Sequence, residues 1–280
     1  MNILNITMER RLVKQGRNAL TVTLPADWLR RRGLKAGDPV YLSEREQEIA
    51  VNASLRRATK ETEVDARGPE PTLVWHLINA KYIAGYDTIT ILHNHPQMLG
   101  DILDHLPGMV LAEHSATRSV IRSLIAVPED TFDAVLRRTL HQLVEQAATM
   151  ELVVAKKVVR QQIKDGERRL DSSVLYCLRY LNKYESTENA HRRFLLCATI
   201  EAAGDTITTL SDCATPKIAR EVREFIVDYT RFLANGDLKA LYTLLRAART
   251  KFKRTTYADG LAFMLAQSLY NYLAYTTVES

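Results

Sequence analysis

Apolar residues follow three different rhythms along this chain. Up to residue 54 the rhythm is short: residues 11 to 13 read as a strand, and Leu20, Val22 and Leu24 alternate with Thr21 and Thr23 until Pro25 stops the ladder. A short helix is predicted from Ala26 to about Arg32, ended by Gly33, and Gly37-Asp38 turns the chain into two more strands near Val40 and Ile49. The expectation is four short strands and one helix over residues 1–54. Residues 55–72, from Arg56-Arg57 to Gly68-Pro69-Glu70-Pro71, are charged and proline-bearing and read as a linker.

Residues 73–127 have a mixed rhythm. Leu73, Val74, Leu77 and Ile78 keep helical spacing until Gly85, and Thr88 to Leu92 is a β-branched strand. A second helix carries Leu99, Ile102, Leu103 and Leu106, Pro107-Gly108 breaks it, and two apolar stretches near Val110 and Ile121 suit a hairpin. This is a small α/β segment. From 128 to the end every apolar stripe recurs at three or four residues, beginning with Phe132, Leu136, Leu140, Leu143, Ala147 and Met150 behind an N-cap at Asp130. Further helices are predicted at about 168–184, 188–214, from Pro216 to Asn235-Gly236, from the Asp237 cap through Ala248, and at 257–277. Short connections make neighbours antiparallel, so residues 128–280 are expected to form two packed three-helix bundles. The fold class is multidomain α+β.

Charge sharpens this division. The first 60 residues hold twelve Lys/Arg against six Asp/Glu, a net +6, which leaves 5 − 6 = −1 for the remaining 220. A basic module joined to a near-neutral body fits a polyanion partner for the module. With 280 residues, 46% of them hydrophobic, the chain can build a sizeable core, yet no apolar run nears the ~20 residues that cross a bilayer. No signal peptide is readable in the first residues. Cys177, Cys197 and Cys213 all fall in helical stretches and read as reduced thiols, so a cytoplasmic protein is expected.

The N-terminal module resembles the AbrB/SpoVT family of swapped-hairpin transcription factors over about 45 residues, through Arg10-Arg11-Leu12, Gly16-Arg17, Leu24-Pro25, Leu29-Arg30-Arg31, Gly33-Leu34 and Gly37-Asp38. The resemblance implies that two chains interleave their hairpins into one barrel, hence a homodimer. It also implies DNA contacts from Arg10, Arg11, Arg17, Arg30 and Arg31, with Lys14 and Arg32 assisting. Guanidinium forks suit the task because they bind phosphate bidentately, and phosphate contacts dominate affinity. Between Gly16-Arg17 and Leu24-Pro25 this chain has six residues where short family members have fewer. A second reading stays open, in which the module only dimerises the protein and its arginines form a solvated face.

The helical region is similar to the PhoU family of phosphate-signalling proteins through Ile200-Glu201-Ala202-Ala203-Gly204-Asp205-Thr206-Ile207, with Asp212 further on, Ala202 standing where the family has arginine. Glu167-Arg168-Arg169-Leu170-Asp171 repeats the acid spacing on the preceding helix. Carboxylates at i and i+4 share a helix face and repel, so a cation is expected opposite them. Glu167, Asp171, Glu201, Asp205 and Asp212 would together supply hard oxygen donors for a divalent or iron-type metal ion, as the resemblance implies. A helical wheel, however, sets Glu201, Asp205 and Asp212 opposite the apolar stripe, where solvent-facing acids belong, and both readings stand. No second E-x-x-x-D occurs over 257–277.

The fusion of the two modules looks like the archaeal type of phosphate uptake regulator. That resemblance implies a DNA-binding regulator of phosphate uptake, with the ATPase subunit of the phosphate transporter as a partner; the alternative is a dimeric signalling protein that touches no DNA. His93-Asn94-His95 at a strand end is a conceivable metal pair, with His105 and His114 on separate elements. No P-loop, G-x-G-x-x-G, G-x-S-x-G or C-x-x-C is present, so the chain reads as a non-enzyme.

Overall fold

A computed structural model describes residues 9–16, 19–45, 48–52, 59–68, 70–124, 132–184 and 188–276. They divide into two compact units, one up to Ala58 and one from Thr59 onward.

In the first unit β1 (Val13–Gln15) pairs antiparallel with β2 (Ala19–Thr21), and β3 (Tyr41–Arg45) with β4 (Glu48–Asn52), as two separate hairpins. Between them lies α1 (Ala26–Arg32). Gly33 closes α1 at φ 68°, a left-handed angle that glycine adopts without strain, and its N–H bonds back to the Arg30 carbonyl. No described side chain of this unit is buried, and Leu12, Val13, Leu20, Leu42 and Ile49 are 57–67% exposed.

The second unit opens with β5 (Glu61–Asp65), inside the stretch expected to be a linker. The correction has a simple cause. Only one face of this edge strand is covered, so Val64 is its one buried side chain and Glu61, Glu63 and Asp65 read as loop-like charge. Pro71 occupies the first turn of α2 (Pro71–Ile83), where its missing N–H costs nothing. β6 (Thr88–Leu92) runs parallel to β5 and antiparallel to β8 (Arg118–Ser123), which pairs with β7 (Met109–His114), giving the order β5-β6-β8-β7. The sheet buries Ile89, Ile91 and Ile121 with Val74, Ile78 and Tyr82 of α2 and Leu99 and Ile102 of α3 (Met98–Leu103). The expected α/β segment is thus present and begins earlier than its period suggested.

Among the described residues, six helices follow: α4 (Phe132–Val154), α5 (Gln161–Tyr184), α6 (Glu188–Cys213), α7 (Pro216–Ala234), α8 (Leu238–Lys251) and α9 (Tyr257–Thr276). The N-cap expected at Asp130 lies outside the described residues, while Asp237 caps α8 by accepting from the Ala240 N–H at 2.9 Å. The two helix triplets share one continuous core, from Phe132 to Leu269 and including Met150, Leu170, Ile200, Ile207, Val222 and Leu245. Cys177 and Cys197 are buried free thiols, and Cys213 is a free, exposed one. No described helix is long and apolar enough to cross a membrane.

The α/β segment is riveted to the C-terminal half of α5. Leu175 enters the sheet's core, and Asp87 pairs with both Arg179 and Lys183. Arg179 also donates to the Tyr82 and Tyr86 carbonyls, both at 2.8 Å, and lies over the Tyr82 ring. Each charge here is nearly buried and each is paired, which is what burial of ions requires.

Candidate functional site

The first unit presents the cations expected to meet DNA. Arg10 and Arg11 lie just before β1, Lys14 within it, and Arg30, Arg31 and Arg32 form the last turn of α1, all exposed. A basic last turn is also favoured by the helix dipole. Arg30 is engaged by Asp27 one turn back, whereas Lys14, Arg31 and Arg32 form no ion pair among the described residues. Arg17 lies outside the described residues.

In the second unit the acidic motifs meet. Glu167 and Asp171 on α5 face Glu201 and Asp205 on α6, and each of the four carboxyls is pushed up by burial before anything else. The neighbouring Asp205 charge raises Glu167, Asp171 and Glu201 further. Asp171, the deepest, reaches about 7. Its Oδ1 is buried and has no hydrogen-bond partner among the described residues. So these four acids occupy a groove between two helices, and the solvent-facing placement drawn from the helical wheel holds for the exposed Asp205 and Asp212 but not for Glu201.

Gly204 explains why the helices come so close. A Cβ there would run into the Leu170 side chain and stand 3.2 Å from the Gln146 Oε1. Gln146 of α4, itself buried, donates to the Gly204 carbonyl at 3.0 Å and to the Thr208 hydroxyl at 2.8 Å. The glycine in the middle of the motif therefore leaves room for the Leu170 side chain and the Gln146 amide between the helices that carry the two acid pairs.

Asp212 does not join them. Arg160, just before α5, takes its carboxylate in an ion pair. His76 of α2, exposed and marked by no sequence motif, exerts a coulombic influence that lowers Glu201 against the upward push of burial. No local spacing signals it, since 125 positions separate the two. The hard-oxygen donors suit a divalent cation, yet among the described residues no three His, Cys, Asp or Glu side chains gather as a metal centre does. Burial and mutual repulsion therefore raise the affinity of these carboxyls for protons.

The fold also joins histidines that sequence placed apart. Ser119 Oγ lies 2.8 Å from His93 Nε2 and 2.9 Å from His114 Nδ1, so the ends of β6, β7 and β8 are pinned by one His–Ser–His chain. Burial, then the adjacent His114, lowers the pKa of His93. Ser119 is fully buried, which bars it from serving as a nucleophile for a bound substrate.

No family model matches the chain, and no curated protein or solved structure matches it either.

Proposed function

We propose that this protein is a dimeric DNA-binding regulator of phosphate uptake, in which two copies of the first unit complete one interleaved barrel and the helical unit senses phosphate status. The observation that carries the reading is the exposure of Leu12, Val13, Leu20, Leu42 and Ile49 in a unit with no buried side chain of its own among the described residues. A module of this size needs a second copy to remove such surface from water. Pairing doubles every cation, placing Arg10, Arg11, Lys14, Arg31 and Arg32 of both copies on one body that suits a two-fold duplex. The phosphate connection rests on the resemblance of the acidic helices, and a divalent or iron-type ion in the Glu167/Asp171/Glu201/Asp205 groove is part of the same proposal. So is contact with the ATPase subunit of the phosphate transporter.

Titrating a duplex at several salt concentrations tests the grip. Each neutralised phosphate steepens the fall of log K against log [salt] by ~0.9, so Arg31→Ala with Arg32→Ala, which removes four cations from the dimer, should reduce the slope by up to ~3.6. A flat plot removes DNA from the reading. It would then favour the dimer-only alternative, which draws support from the engagement of Arg30 by Asp27. Chromatin immunoprecipitation in high and low phosphate tests the pathway, with enrichment at a phosphate transporter operon as the expected result.

A further inference from the structure

The turns at one end of the helical bundle are basic. Antiparallel succession brings the turns after α4, α6 and α8 to one end, and side chains tie them there: Glu151 of α4 to Arg220 and Arg223 of α7, Arg160 of α5 to Asp212 of α6, and Glu221 of α7 to Lys251 of α8. The three turns, residues 155–160, 214–217 and 251–257, contain seven Lys/Arg and no Asp or Glu. The rest of residues 61–280 must therefore carry −1 − 7 = −8. The α/β segment docks on the C-terminal half of α5, toward the other end.

Within the turns, Arg160 is spent on Asp212, Lys251 on Glu221, and Arg254 lies flat on the Phe263 ring at 3.5 Å. Lys156, Lys157, Lys217 and Lys253 are exposed and form no ion pair among the described residues. Between these cations stand Val159 and Tyr257, 66% and 69% exposed. Lys156 and Arg254 are also the two non-glycine residues with positive φ among the described residues, at 56° and 57°. Glycine would relax both positions, yet the chain places cations there.

We propose that this end of the bundle is a docking surface for an anionic lipid bilayer. A polyanion is required by charge, and three features select a lipid surface over a nucleic acid. The free cations are all lysines, point charges without the guanidinium fork that favours phosphate recognition on nucleic acid, in contrast to the arginines of the first unit. Val159 and Tyr257 suit the headgroup boundary, where apolar and aromatic side chains are buried beside lysines. The end of a helix bundle, with each helix about 10 Å across, offers a broad face to a flat partner.

The test is flotation of the full chain with vesicles of phosphatidylcholine alone and of phosphatidylcholine mixed with phosphatidylglycerol. Binding is expected for the mixed vesicles only, weakening as salt is raised. Since each lysine near an anionic surface contributes a factor of about five, Lys156→Gly/Lys157→Gln/Lys253→Gln should lower partition at least tenfold. The glycine relaxes the backbone at residue 156, so this variant should keep its fold, checked by its thermal unfolding. Val159→Ser with Tyr257→Ser should weaken binding even at low salt. Arg31→Gln/Arg32→Gln controls for the basic first unit and should leave flotation unchanged. Flotation that ignores the lysine variant, or that is lost only with Arg31 and Arg32, overturns the proposal. So does a lysine variant that loses duplex binding and keeps its lipid binding, which would assign the surface to nucleic acid.

Discussion

The two units handle apolar surface in opposite ways. Residues 59–280 close their own core: Ile78, Ile121, Met150, Ile200 and Leu269 are fully buried, and even the charges of Asp87, Arg179 and Lys183 are sheltered and paired. Residues up to 58 bury no described side chain and display their leucines, valines and isoleucine beside their cations. The difference teaches where each unit takes its stability from. One is a self-sufficient body, and the other leaves its described apolar side chains uncovered.

The sharpest way to break this contrast is to poison the exposed sheet surface. Leu42→Asp with Ile49→Asp should convert dimer wholly to monomer in sedimentation, while the helical unit's thermal unfolding stays put; a dimer that survives would mean that the second unit assembles the protein. Next in size is Arg179→Ala, which strips Asp87 of one partner and frees two carbonyls, and should cost ~3 kcal/mol in urea unfolding without changing the dimer. Gly204→Ala should cost about 1–3 kcal/mol by forcing Leu170 and Gln146 apart. A stable Gly204→Ala protein would show that the α5–α6 approach has slack.

The smallest effect is a pH slope. Asp171 binds its proton more tightly folded, at about 7, than its ordinary 3.8. Its contribution to stability is therefore complete below about pH 4 and is lost as pH rises through about 7. In chelator, stability should fall by roughly 1–2 kcal/mol across that window, and Asp171→Asn should flatten the slope. Added divalent cation should flatten it too if the groove binds metal, because the ion replaces the proton.

Much of this was legible in residue order. The switch from period two to period three or four placed the helices from α4 to α9, because an amphipathic stripe is a local property of consecutive turns. Even so, α5 begins at Gln161, a full two turns before its apolar stripe becomes regular near Leu170. Acid pairs four apart on α5 and α6 were visible for the same local reason, and the arginine-rich first unit was visible by counting.

Three matters were settled only by the tertiary structure. Glu61 to Asp65 became a strand because β6 offered it a parallel partner. Asp212 found its ion-pair partner in Arg160, 52 positions away, and Glu201 came under the coulombic influence of His76 on another element. Lys156, Lys217 and Lys253 became one surface because antiparallel helices return the chain to the same end. Periodicity records which face a residue occupies on its own element. Which faces and which ends come together depends on packing between distant segments, and that information is spread over the whole chain.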